Sequence, residues 1–194
     1  DWTSRVQDSS HTPPGAFGYL LSQLKKRPRL TVLTHFPATD DTVAWLGELA
    51  RSQPRVQVIL NRRNLGFAAG NNRGLAAARG DFMVLLNSDT VVTPGWLERL
   101  MAPAIADPRV GLVGPFTNNV TGVQKLPKVG YDQRTLAGLD AFAERHAAAN
   151  AGAMAHALWI VGFCLLVRRE VIERLGGLDE VFGQGNYEDT DYCL

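Results

Sequence analysis

The sequence predicts an α/β fold in which a mostly parallel sheet is flanked by helices. Three short apolar runs, at residues 30–34, 56–60 and 81–86, have the composition and length of buried strands. Helical patterns separate these runs, and such alternation is typical of parallel strands joined by right-handed crossovers. A chain of 194 residues is long enough for one such domain with a sizeable core.

The predicted elements follow one another without an internal repeat. Residues 1–15 are polar and are predicted to be a tail or linker, whereas residues 16–194 form the domain. A helix at 16–26 opens this domain, because its apolar residues recur at helical spacing and Pro28 follows it. The later predicted elements are helices at 42–51, 71–79, 94–105, 136–149 and 169–175, strands at 110–116 and 158–167, and a long polar loop at 117–131.

Composition limits the classes of function. The 20 basic and 19 acidic residues leave a net charge of +1, which offers no electrostatic basis for binding nucleic acid. Cys164 and Cys193 lack the spacing of a zinc site, and Cys164 is predicted to be a small core residue.

The longest apolar run has 11 residues, at 157–167, and is too short to span a bilayer. We therefore expect a cytoplasmic protein. Because the chain starts at Asp1 rather than Met, we also expect it to be trimmed or part of a longer protein.

Residues 61–90 contain the first candidate site. A turn rich in glycine and asparagine, at 64–74, is predicted to open the helix at 71–79, where backbone N–H groups can meet an anion. Asp89 directly follows the strand at 81–86, and ligands of open α/β sheets bind beyond the carboxyl ends of strands. A carboxylate beside amide and hydroxyl groups suits Mg²⁺ or Mn²⁺, which retain waters and are completed by substrate phosphates. The alternative is an ordinary turn and helix cap.

The second candidate site is a cluster of carboxylates near the end of the sequence. Glu188, Asp189 and Asp191 lie within four residues of one another. Closely spaced carboxylates are typical of general acid–base sites, but they also occur at helix N-termini, where the helix dipole stabilises negative charge. The residues alone leave these two interpretations open.

Both candidate sites lie in segments that resemble family 2 glycosyltransferases, especially the bacterial rhamnosyltransferase-like branch. The first segment is NLGFAAGNNRGLAAARGDFMVLLNSDTVVTPGWLERL, and the second is GGLDEVFGQGNYEDTDYCL. The resemblance extends from about residue 30 to residue 194, with the two motifs in the family's order. It implies a GT-A nucleotide-sugar-binding fold and an inverting, metal-dependent transferase. Such an enzyme moves a sugar from a nucleoside diphosphate donor, of the UDP or dTDP type, to a glycan or lipid-linked hydroxyl in cell-surface polysaccharide synthesis.

The resemblance also implies roles for individual residues. Asp89 would hold the Mn²⁺ or Mg²⁺ ion, Asp189 would be the catalytic base, and Glu188 would assist it. Trp159, Gly162 and Asp191 would face the acceptor. The residues implied to bind the donor are His35, Asn64, Gly66, Phe67, Gly70, Asn71, Asn72 and Asn87.

Two departures from the family pattern bear on this expectation. His35 stands where the family has an aspartate that contacts the donor's base, which leaves the nucleobase open. Residues 1–15 contain no apolar run that would serve as the family's first strand, and the chain ends within the family's catalytic helix region. We therefore expect a GT-A domain without its first strand and C-terminal part, unless residues 1–15 complete the sheet. The alternative function is a degenerate, non-catalytic module that binds partners within a larger protein. Association with a membrane surface and the oligomeric state stay open.

Overall fold

The computed structural model describes residues 30–34 and 40–194 of the chain. The predicted tail at 1–15, the predicted helix at 16–26 and the candidate donor residue His35 lie outside these described residues. The description therefore begins with the first predicted strand of the α/β alternation.

The first two strands are parallel, as the alternation predicts. Strand β1, Leu30–Thr34, and strand β2, Val56–Leu60, pair residue for residue and have the predicted bounds. Helix α1, Asp40–Ser52, joins them, and its Leu46 and Leu49 pack against β2 in a small core.

The remaining strands form a separate antiparallel sheet. It comprises β3, Phe82–Leu86, β4, Leu112–Val113, and β5, Cys164–Arg168, in the order β3-β5-β4. Both β3 and β4 run antiparallel to β5, and so they are parallel to each other. The expected mostly parallel sheet is therefore wrong for these three strands. Strands β3 and β4 are parallel, as the alternation predicts, but the later strand β5 is inserted between them. Hydrophobic periodicity carries no information about that insertion.

Further helices complete the described part of the chain. They are α2 Gly66–Ala77, α3 Trp96–Ala106, α4 Leu139–Ala149, α5 Arg169–Leu175, a 3₁₀ helix at Glu180–Phe182 and α6 Glu188–Cys193.

Strand β5 lies at the centre of the main core and is buried on both faces. Leu165 and Val167 face α2, together with Leu178 from the later loop. Cys164 and Leu166 face α3 on the other side. The prediction that Cys164 is a small core residue is confirmed, and burial raises the pKa of its thiol to about 12.

Some predicted elements have different bounds in the structure. Helix α2 begins at Gly66, five residues before its predicted start, and most of the predicted turn at 64–74 is therefore helical. The strand predicted at 158–167 forms only from Cys164 onward, because the residues before it obtain their hydrogen bonds from side chains. That irregular segment is central to the candidate site.

Candidate functional site

Three successive residues before β5, 160–162, form a segment that side chains anchor in place. The N–H of Ile160 donates to the thiol sulfur of Cys193, at 3.3 Å. The N–H of Val161 donates to Oε1 of Gln124, at 2.7 Å, and the N–H of Gly162 donates to Oδ2 of Asp189, also at 2.7 Å. We call residues 160–162 the anchored segment. It connects the loop around Gln124 to helix α6.

Gly162 brings the two predicted sites into contact. A Cβ atom built on Gly162 would lie 3.2 Å from Cβ of Asp189 and 3.4 Å from the ring of Phe67. These distances are tighter than, or at the limit of, ordinary carbon contacts, so that a side chain at position 162 would push against both neighbours. Residues from α2 and α6, more than 100 positions apart in the sequence, therefore meet at this glycine.

The start of α2 is closed by the loop that precedes α6. Gly66 has a φ of +80°, and a Cβ at this position would overlap the carbonyl oxygen of Gly183. The N–H of Phe67 donates to the carbonyl of Gln184, at 3.4 Å, and the N–H of Gly66 donates to Oδ1 of Asn64, at 2.9 Å. The predicted helix start at 71 is therefore wrong, because the helix begins at Gly66 and its first two N–H groups have partners within the protein. Donor binding by this segment stays a prediction.

The two asparagines inside α2 differ in what they contact. Asn71 donates to the carbonyl of Phe67, one turn earlier in the same helix. Asn72 donates to the carbonyl of Leu178, at 2.8 Å, and to the carboxylate of Glu180, at 2.9 Å, while its Oδ1 accepts from the N–H of Leu178. The amide of Asn72 thus fastens the loop after α5 to α2. Gly70 is buried within the helix.

The turn after β3 is fastened to the residue that follows Gly162. The N–H of Asn87 donates to the carbonyl of Phe163, at 2.9 Å, and the hydroxyl of Thr90 contacts the same carbonyl at 3.4 Å. Asp89 lies in this turn with its side chain exposed, and Asn87 is half-buried. The structure thus connects the turn that carries Asp89 to the anchored segment that contacts Asp189.

The donors around Asp89 fit a hard divalent cation that the substrate completes. Within residues 40–194, as far as they are described, no group of three or more His, Cys, Asp or Glu side chains is placed to enclose a metal. One exposed carboxylate with an amide and hydroxyls nearby suits Mg²⁺ or Mn²⁺, since these ions retain waters and take substrate phosphates as ligands. Such a donor set does not suit a structural zinc site.

The three carboxylates of α6 have different surroundings. Asp189 is half-buried and accepts from two N–H groups, that of Gly162 at Oδ2 and that of Thr190 at Oδ1. Glu188 is buried, and its Oε2 has no hydrogen-bond partner in the described part of the chain. Asp191 is exposed. All three lie in the first turn of α6, so the helix-dipole interpretation applies to their position as well.

Trp159 precedes the anchored segment and is not part of a strand. Its side chain is 43% exposed, so Trp159 is not a core aromatic residue. Its indole lies 3.8 Å from a Cβ built on Gly122. The ring is therefore accessible beside the segment that leads to Gly162.

Sequence reasoning missed two residues of this site, Gln124 and Cys193. Gln124 lies in the loop predicted at 117–131, and the length of that loop was the only signal that it had a role. Burial raises the pKa of the Cys193 thiol, which accepts the N–H of Ile160, and the charge of Asp189 acts in the same direction. Neither contact has a local sequence signature, because each joins segments more than 30 residues apart.

With this geometry established, comparison with known proteins gives the family. The model of glycosyl transferase family 2 matches residues 20–176. The chain belongs to this family. The matched residues of this family 2 chain include α2 and the turn with Asp89, whereas α6 lies beyond them. The resemblance found in the sequence is thus confirmed.

Named family members cover much of the chain. A pre-mycofactocin glycosyltransferase of Mycobacterium tuberculosis is 31% identical over 140 residues, which are 71% of this chain and 28% of that protein. An N-acetylglucosaminyl-diphospho-decaprenol L-rhamnosyltransferase of the same species is 25% identical over 187 residues, which are 82% of this chain and 58% of that protein. The chain therefore spans roughly a quarter to three fifths of the length of these relatives.

A solved structure confirms the predicted fold. GalNAc-T7, solved with UDP, GalNAc and Mn²⁺, superposes with a TM-score of 0.66 over 92% of this chain and 36% of that chain, at 16% identity. The family 2 chain thus has a GT-A fold. Among its described helices, none is long and apolar enough to cross a membrane.

Proposed function

We propose that this chain is the catalytic domain of an inverting, metal-dependent glycosyltransferase. It would move a sugar from a nucleoside diphosphate donor to a hydroxyl of a glycan or lipid-linked acceptor in cell-surface polysaccharide synthesis. The observation that carries the proposal is the meeting of three segments at residues 162–163. Gly162 contacts Asp189 and Phe67, and Phe163 accepts the N–H of Asn87 in the turn that holds Asp89.

The donor side of the proposed site is built from α2 and the turn after β3. Asp89 would bind the cation, which when present would neutralise charge on the departing diphosphate. The names of the relatives support sugar transfer, and the UDP and Mn²⁺ in the solved structure support a nucleotide donor and this metal. We assign donor binding, by direct contact or by positioning, to Asn64, Gly66, Phe67, Gly70, Asn71, Asn72 and Asn87, and also to His35.

Within that set, the structure supports different parts for different residues. Gly70 is buried in α2, and the amide of Asn72 binds Leu178 and Glu180, so these two residues would act by positioning the donor-facing side chains. Phe67 lies against Gly162, which supports a direct place for its ring between donor and acceptor.

The acceptor side is built around Asp189. The acceptor hydroxyl oxygen would attack the anomeric carbon as the bond to the diphosphate breaks, with inversion, and its proton would pass to the Asp189 carboxylate. An ionised carboxylate has about four acceptor positions, and three of them are used by the N–H groups of Gly162 and Thr190 and, at 3.4 Å, by the Thr190 hydroxyl. The remaining position is therefore able to receive the proton. The exposed indole of Trp159, together with Gly162 and Asp191, would contact the acceptor, and Glu188 would support Asp189.

The proposed setting is cytoplasmic, with a lipid-linked acceptor allowing association with a membrane surface and with no role for nucleic acid. The near-zero net charge supports the last point, since phosphate-backbone binding depends on a basic face.

Nucleotide titration tests the donor side of this proposal directly. We would measure binding of UDP, dTDP and GDP by calorimetry, each with and without Mn²⁺, in the parent protein and in Asp89→Asn. The matched control is Asp81→Asn, because Asp81 is also exposed and lies at the other end of the same strand.

The expected result is that Mn²⁺ strengthens binding of at least one nucleotide by about tenfold or more in the parent and in Asp81→Asn, equivalent to about 1.4 kcal/mol. Asp89→Asn should lose this gain. Equal affinities in all three proteins, with and without Mn²⁺, would contradict the metal assignment.

A further inference from the structure

Gln124 is a buried polar side chain in a loop that none of the roles proposed above includes. Its side chain is 6% exposed, and among the described residues it shares this degree of burial only with Glu188 as a polar group. Both ends of its amide have partners, because Oε1 accepts the N–H of Val161 at 2.7 Å and Nε2 donates to the carbonyl of Pro115 at 3.0 Å. A buried amide with a partner at both its oxygen and its nitrogen has a defined orientation.

The loop supports Gln124 from both sides. The carbonyl of Gln124 accepts the N–H of Thr117, at 2.9 Å, and Leu126 donates back to the carbonyl of Thr117, at 2.8 Å. A Cβ atom on Gly114 would overlap the side chain of Ile160 and lie 2.7 Å from Nε2 of Gln124. The loop and the anchored segment are therefore packed without room for another side chain at position 114.

The bond from Val161 to Gln124 lies between the two bonds that join the anchored segment to α6. On one side Ile160 binds Cys193, and on the other side Gly162 binds Asp189. Gln124 makes none of the bonds to α6. It instead holds Val161, the middle residue of the anchored segment, in place. A shift of Val161 would move the N–H of Gly162, and with it the Asp189 carboxylate.

We propose that Gln124 is a positioning residue for Asp189, acting through Val161 and Gly162. This inference rests on the proposed function, in which Asp189 is the catalytic base. Loss of the Gln124 amide leaves the partly buried N–H of Val161 without its acceptor, which favours displacement of the segment. Displacement of a reacting group by about 1 Å can reduce turnover on the order of a hundredfold.

The test compares two substitutions at one position with a matched control. Gln124→Met keeps the length of the side chain and removes both hydrogen bonds, whereas Gln124→Glu keeps an oxygen that can accept from Val161. The control is Gln133→Met, since Gln133 is exposed and contacts Asn118 rather than the anchored segment.

Two readouts are measured on each protein. Amide hydrogen exchange by mass spectrometry follows peptides that cover residues 157–163 and 188–193, and needs no substrate. Kinetics give kcat and KM with the donor nucleotide sugar that the parent protein uses, and calorimetry gives the affinity for the corresponding nucleoside diphosphate with Mn²⁺.

In Gln124→Met we expect about tenfold faster exchange in both peptides, because their shared anchor opens more often. We expect kcat to fall by roughly tenfold to a hundredfold while nucleotide affinity stays within about threefold. Gln124→Glu should recover part of the kcat and part of the protection, and Gln133→Met should match the parent.

Several results would overturn the inference. Gln124→Met with parental kcat and exchange is one, and an equal loss of kcat and nucleotide affinity, indicating general loosening of the domain, is another. If Gln124→Met does not fold, Gln124→Asn replaces it, because the shorter side chain withdraws the amide oxygen from the N–H of Val161: reduced kcat with unchanged nucleotide affinity supports the inference, and parental kcat overturns it. If the parent transfers no sugar, the proposed function fails, and the exchange data still test whether Gln124 holds residues 157–163 and α6 together.

Discussion

The apolar run at 157–167 contains two regions that look alike in sequence and differ in structure. From Cys164 onward, β5 pairs with β3 on one side and β4 on the other, and residues 164–167 are almost completely buried. Just before it, the anchored segment has equally apolar residues, yet the N–H groups of Ile160, Val161 and Gly162 donate to side chains. A single predicted strand therefore divides into a strand within the sheet and a segment held by side chains.

The difference shows what each kind of pairing requires. Backbone pairing in β5 is available to any apolar sequence of suitable shape, and its partners are defined by the sheet. The anchored segment needs a thiol, an amide and a carboxylate at three particular positions, Cys193, Gln124 and Asp189. We therefore expect substitutions in β5 to change stability, and substitutions of the side chains that anchor residues 160–162 to change turnover.

The largest expected effect is at Asp189. Asp189→Asn keeps the shape of the side chain and removes its basicity, so that turnover should fall by roughly 10²–10⁴ while nucleotide affinity stays within a few-fold of the parent. Transfer rates and calorimetry on the same preparation check this. Glu188→Gln should have a smaller effect on turnover. Near-parental turnover in Asp189→Asn would move the base to Glu188 or Asp191.

The corresponding change in β5 should affect stability rather than chemistry. Leu166 of β5 is completely buried against α3, and Leu166→Ala should reduce the free energy of unfolding by about 2–5 kcal/mol. Urea unfolding measures this. Leu175→Ala is the control, because Leu175 is 66% exposed and should change stability by less than about 0.5 kcal/mol. If Leu166→Ala instead lowered the turnover of each folded molecule and left stability unchanged, β5 would not differ from the anchored segment in the way we expect.

The smallest of these effects is expected at Asn72, which joins α2 to the loop before α6. Asn72→Ala removes the hydrogen bonds to Leu178 and Glu180 and should lower the free energy of unfolding by about 1–3 kcal/mol. Hydrogen exchange in residues 176–183 should become faster. The exposed Asn119 offers a control, as Asn119→Ala should leave that exchange unchanged. Unaltered exchange in Asn72→Ala would mean that other contacts hold this loop in place. One of them is the close packing of the Gly183 carbonyl against Gly66, which leaves no room for a Cβ atom at position 66.

Local sequence signals predicted the elements whose boundaries are defined by turn-forming residues and by hydrophobic periodicity. Strands β1 and β2 and helix α5 have their predicted bounds, and β3 differs by a single residue. The predicted start of α2 was wrong because glycines and asparagines usually indicate a turn. Here Gly66, at positive φ, allows the helix to begin against the backbone of Gly183. That contact joins residues more than 100 positions apart, and no local pattern reports it.

The sequence by itself determined the family, the α/β alternation and the candidate residues at 64–74, 87–89 and 188–191, because these depend on residue types at fixed local spacing. Only the tertiary structure decided that β5 lies antiparallel between β3 and β4, and that Gly162 and Phe163 join the three candidate segments. It also decided that Gln124 and Cys193 belong to the site. These relations depend on which distant N–H groups meet which side chains after the core has packed around β5. A buried polar group must find a partner somewhere in the folded chain, but the sequence around it does not specify which one.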